Sequence, residues 1–142
     1  MKHRLKRLPD WERRLIDITE KSRKKPFVRG KRDCGLWVCD VIKTITGVDL
    51  GVDYRGVYKN LDGAKLALKR DGGSLYHATI KKLGLPMNNV NFAQRGDLVM
   101  LRGDEGLSLG IVDNSGAKIL GYNHTGLLSH PLSRAIKAWK IG

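Results

Sequence analysis

Apolar residues recur at helical spacing through the first half of the chain and crowd into short, glycine-punctuated runs in the second. In "LPDWERRLIDITEKSR", Trp11, Leu15 and Ile18 share one face of a 3.6-residue period, and Pro9 suits a helix start. "DCGLWVCDVIKTITG" predicts the clearest helix: Asp33 is placed to cap it, its interior is apolar, and Gly47 fits a left-handed stop. "LDGAKLALKRDGG" and "SLYHATIKKLG" predict two shorter amphipathic helices, each ended by glycine, with Gly63 weakening the first. Between the first two helices, "KSRKKPFVRGKR" reads as a loop broken by Pro26 and Gly30.

After Pro86 the period changes. "GDLVMLRG", "LSLGIVDN", "AKILGYN" and "AIKAWKIG" are rich in Val, Ile and Leu and separated by Gly, Asn and Asp, so they predict antiparallel strands. "DNSGAK" is the clearest hairpin turn among them. Helices first and strands later give an α+β class, with the N-terminal helices packed on a small antiparallel sheet. The first helix is expected to pack on that sheet or to extend to a partner. We divide the chain into a basic N-terminal helix or arm, 1–25, and an α+β domain, 26–142, within one globular unit.

Length changes little: 142 residues suffice for one domain with its own core. No apolar run approaches the roughly 20 residues of a membrane span, and the N-terminus lacks the apolar stretch of a secretory signal. A soluble protein made in a cytoplasm is the expectation. Cys34 and Cys39 stand five apart on one predicted helix and so point about 140° away from each other, which argues against a disulfide. Free thiols in a reducing compartment follow. His3, His77, His124 and His130 share no ligand spacing with the cysteines, so neither a metal nor any other cofactor is expected.

Charge changes more. The formal net charge is +13, and residues 1–32 hold thirteen Lys and Arg against four Asp and Glu. Such a segment attracts polyanions or acidic partner subunits, or is simply solvated. A nucleic-acid-binding module ranks last among the readings, because the aromatics are too few and scattered to form a stacking platform.

The candidate chemistry starts at Cys34. In the first turn of its helix, exposed N–H groups and the helix dipole favour a thiolate. Arg29, Lys31 and Arg32 would push the same way, Gly35 permits close backbone approach, and the Cys34 N–H could serve an oxyanion hole. The plainer alternative is a small buried residue at a helix start.

"PFVRGKRDCGLWVCDVI" resembles the nucleophile segment of the NlpC/P60 superfamily of papain-like cysteine peptidases, in which an aromatic, a glycine and a short loop precede Asp-Cys-Ser-Gly-Leu. Phe27, Gly30, Asp33, Cys34, Gly35 and Leu36 fill that pattern, with the serine absent. Gly96, Asp97 and Leu98 resemble the family's first strand, Pro-Gly-Asp-Leu, and "LSLGIVDNSG" its next, His-x-Gly-Ile/Val. The likeness covers residues 26–124 and is nearest to a phage-associated branch that opens on a Trp-Glu helix and closes on Ala-Trp, as Trp11-Glu12 and Ala138-Trp139 do here.

Ser108 stands at the position of the family's histidine base, and the third, orienting residue is expected near Leu120 or Gly121, neither of which orients an imidazole. A thiol without a base in reach lacks the minimum for nucleophilic catalysis. His124 is the substitute base worth testing; His77 and His130 are less well placed. Asp97 reads as a turn residue that satisfies backbone N–H groups.

The resemblance therefore implies a catalytically degenerate NlpC/P60-like domain serving as a structural, tail-tip or hub component of a phage or phage-derived tail, with other tail proteins as partners and the virion as destination. The alternative is an active cysteine hydrolase that cuts peptidoglycan through Cys34.

Overall fold

The computed structural model describes residues 4–142; His3 and Lys2 of the basic segment lie outside them. The chain opens with α1 (Trp11–Ser22), α2 (Cys34–Thr46), α3 (Leu61–Lys69) and α4 (Leu75–Leu83). Five strands follow: β1 (Leu98–Gly103), β2 (Gly106–Val112), β3 (Lys118–Asn123), β4 (Gly126–Pro131) and β5 (Lys137–Trp139). They form one antiparallel sheet in the order β4-β3-β2-β1-β5, so that four strands run as a meander and the last returns beside the first. The α+β architecture expected from the sequence is what the chain adopts.

The helix ends obey local chemistry. The Asp33 carboxylate accepts the Leu36 N–H at 3.0 Å, and Gly47 closes α2 in the left-handed region at φ 84°. Asn60 and Ser74 cap α3 and α4 in the same way. At the predicted hairpin turn, the Asp113 N–H donates to the Lys118 carbonyl at 2.9 Å and its carboxylate accepts the Ser115 N–H.

The strands alternate with period two between two apolar layers. Leu98, Met100, Leu109, Ile111, Leu120 and Trp139 pack with Leu15 of α1 and with Trp37, Val38, Val41, Ile42 and Ile45 of α2. Val99, Leu101, Val112, Ile119 and Ala138 face the other way, against Ala93, Ala135, Met87 and Val90. Trp37 lies at the centre: its ring sits 5.8 Å from that of Tyr122, and its indole N–H donates to Ser22 Oγ at 2.9 Å. The Tyr122 hydroxyl in turn donates to the Ser22 carbonyl at 2.7 Å, which ties the end of α1 to the sheet.

Two expectations need correction. α1 packs chiefly on α2 rather than on the sheet, because its single fully buried apolar residue, Leu15, meets the α2 face. The segment Gly126–Pro131, outside the four predicted runs, is also a strand and pairs along the whole of β3. Leu127 and Leu128 are its only large aliphatic residues, too short a run to read as a strand alone; β3 supplies the ladder that extends it.

Gly110 shows why the motif Leu109-Gly110-Ile111 contains a glycine. A Cβ there would stand 2.5 Å from Ile119 Cγ2 and 2.8 Å from the Leu120 carbonyl oxygen. The second of these contacts is with backbone, which cannot rotate aside. Gly110→Ala is expected to cost about 1–3 kcal/mol through overpacking, read as a lower urea midpoint at unchanged slope.

Candidate active-site cleft

The loop before α2 is built around one carboxylate. Asp33, only 3 % exposed, accepts the Leu36 N–H through Oδ1 and both the Gly30 N–H at 3.0 Å and the Tyr58 hydroxyl at 2.6 Å through Oδ2. Gly30 is required there: its φ is +84°, and a Cβ would fall 1.9 Å from the Tyr58 carbonyl oxygen. Asp33 thus holds the turn, the helix start and the 51–58 segment in one register, and its lone pairs are engaged. Burial first, then the Asp33 hydrogen bond and charge, push the Tyr58 phenol well above its usual range, so it stays a donor.

This frame points Cys34 into a cavity of about 560 Å³ lined also by Asp33, Gly35, Ser108 and His124. All five sequence-selected positions therefore border one space. The thiol, half-buried, meets the Ser108 side chain and the Leu109 backbone. Burial pushes the Cys34 thiol up from its ordinary value; the polar contact with Ser108 pulls it back, Asp33 raises it, and Leu109 and the charge of Arg29 lower it. The expectation of a helix-activated thiolate is thus corrected. Desolvation outweighs the helix start and the cations, in part because Arg29 spends its charge on Glu105 at 2.8 and 2.9 Å. Cys39, one turn on, is a core thiol pushed up to about 12 by burial. The two cysteines are unbonded.

No histidine hydrogen-bonds the thiol among the described residues. His77 on α4 pairs with Ser74 Oγ at 2.6 Å. His130 on β4 meets Arg134 at 3.2 Å, and burial followed by that guanidinium lowers its pKa. His124 occupies the exposed β3–β4 turn at the cavity rim. Asp97 stands away from the cavity and accepts the Gln94 and Ile141 N–H groups, as a turn residue should, while also pairing with Arg7 at 3.0 Å.

Near the position expected for the third residue, at Leu120 or Gly121, the polar side chain of β3 is Asn123. β2 and β3 pair with Ile111 opposite Leu120 and Val112 opposite Ile119. Carried along the strands, that register sets Ser108 across from Asn123, which also lines the cavity. Its amide oxygen accepts the Thr125 N–H at 2.8 Å and hydroxyl at 2.6 Å. Counting back from the hairpin turn would have found Asn123; nothing local in "GVYKN" announces Tyr58.

The sequence profile of the family described as a domain of unknown function (DUF6950) matches residues 6–141. The chain belongs to this family. No curated protein matches it. Among solved structures, this DUF6950 chain is similar to the crystal structure of the NlpC/p60 domain of peptidoglycan hydrolase SagA. The TM-score is 0.57 at 16 % identity, over 91 % of this chain and 97 % of that one. The NlpC/P60-like fold is therefore shown.

Proposed function

We propose that this DUF6950 chain is a catalytically retired NlpC/P60-like domain that holds a ligand or partner at its cleft instead of cutting it. One observation carries the reading: a hydroxyl, Ser108, meets the thiol where a working site needs an imidazole. Serine takes no proton near neutral pH, and burial keeps Cys34 in its thiol form. The place of work we assign is a phage or phage-derived tail, on the likeness of the Trp11-Glu12 and Ala138-Trp139 signatures and on the basic N-terminal segment. Mass spectrometry of purified particles tests that assignment, and a chain absent from them removes it.

Alkylation by iodoacetamide tests the retired site. With the pKa raised, only the thiolate fraction reacts, so the Cys34 rate is expected to fall about 100-fold from pH 8 to pH 6. A rate nearly level between the two pH values would reveal a base at work. One observation favours the hydrolase reading: His124 borders the same cavity as Cys34. Release of peptides from purified peptidoglycan by the wild type, lost in both Cys34→Ala and His124→Ala, would establish it.

A further inference from the structure

The cavity is far larger than a thiol and its neighbour require, and three helices turn a stripe toward it. α2 contributes Val38 and Ile42, α4 Ala78, and α3 Leu61, Ala64 and Leu68. The α3 set follows the i, i+3, i+7 spacing of a single helix face. The faces of α2 and α4 also serve the core, through Val38, Ile42 and Ala78. That of α3 does not: the helix has no buried residue, so Leu61, Ala64 and Leu68 have the cavity as their apolar surroundings. A nine-residue helix that buries nothing gains little from its own hydrogen bonds. It is held from its ends, by the Asn60 cap and by Asp71, which receives Lys81 Nζ at 2.7 Å and the Tyr54 hydroxyl.

The rim is charged. Lys65, Lys69, Arg102 and Arg134 border the cavity with no carboxylate within ion-pair distance among the described residues, against a single unpaired acid, Asp104. Exposed Leu107 and Leu128 stand beside them. A volume of about 560 Å³ falls within the range of small-molecule sites.

We propose that this cavity binds a linear fatty acyl chain with an anionic head, the alkyl chain lying against α2, α3 and α4 and the head held by the rim cations. An apolar solute without charge would leave the cations unused, and a peptide would leave its backbone polar groups facing aliphatic walls. The inference deepens the reading of a binding cleft and requires no turnover by Cys34.

Calorimetry on the intact chain with octanoate, decanoate and dodecanoate, each below its micelle concentration, tests it. Affinity is expected to rise about 4-fold for each methylene added, since each buries one more apolar group. Leu68→Glu should weaken dodecanoate at least about 10-fold without unfolding the chain, because α3 carries no buried residue. Lys65→Glu combined with Lys69→Glu should weaken dodecanoate while leaving dodecanol unchanged. An affinity independent of chain length, or unaltered by Leu68→Glu, overturns the proposal. So does sedimentation with phosphatidylglycerol vesicles without binding of free dodecanoate, which would make the basic surface the lipid-binding element. Peptidoglycan cleavage would refute the retired-site reading and leave the chain-length series to be judged alone.

Discussion

Ser108→His is expected to turn a sluggish thiol into a reactive one. The substitution places an imidazole where the hydroxyl now meets Cys34 and where the cavity leaves room for it. An adjacent imidazolium lowers cysteine pKa values into the range of about 3.5–7.5. A thiol held above its ordinary value is almost wholly protonated at pH 6, whereas one brought to about 6 is half ionised. The lower-pKa thiolate is intrinsically the poorer nucleophile, and that loss leaves a net acceleration of roughly 20-fold at pH 6. Iodoacetamide kinetics read this directly, and Ser108→Asn, similar in bulk but without a base, should show none of it. A folded Ser108→His protein that alkylates at the wild-type rate would mean that the side chain at 108 does not govern the sulfur, and the account of the cleft would fail.

Asp97→Ala is expected to be the most damaging single change outside the apolar core. The carboxylate is 3 % exposed and binds Arg7 at 3.0 Å, the Ile141 N–H at 3.0 Å and the Gln94 N–H at 2.9 Å. Arg7 meanwhile donates to the Ile141 carbonyl at 2.6 Å and stacks over Trp11, 4.1 Å from its ring centre. Asp97 therefore joins the segment before α1, the start of β1 and the C-terminal segment. Removing it strands a mostly buried guanidinium and two amide protons at once. Losing one partner of a buried pair costs about 3–5 kcal/mol, a large share of the 5–15 kcal/mol that holds a typical domain. The melting temperature should drop by roughly 10 °C or more. Asp97→Asn, which keeps an acceptor, should fall between wild type and alanine. A drop of only a degree or two in Asp97→Ala would show that the three segments are held by their apolar contacts alone.

The pair also marks where local reading stops. Asp97 as acceptor for nearby N–H groups follows from "RGDL" alone, because a carboxylate at a strand start has Gln94 within reach. Arg7, ninety residues away, belongs to the same charge and was indistinguishable in sequence from the other N-terminal cations. The same limit explains β4, whose ladder comes from β3, and Asn123, which the fold brings to the cavity that Ser108 lines.

The sequence by itself determined the helix and strand periods, the Asp33 cap, the glycine stops and the thiol at a helix start. Each is set within one or two turns of chain, where propensity and hydrogen-bond geometry act. Tertiary structure alone decided that Ser108 meets Cys34, that burial raises the thiol, and that α3 turns its apolar stripe onto a cavity. Desolvation and cavity shape are sums over residues distant in the chain, so no single stretch of it encodes them.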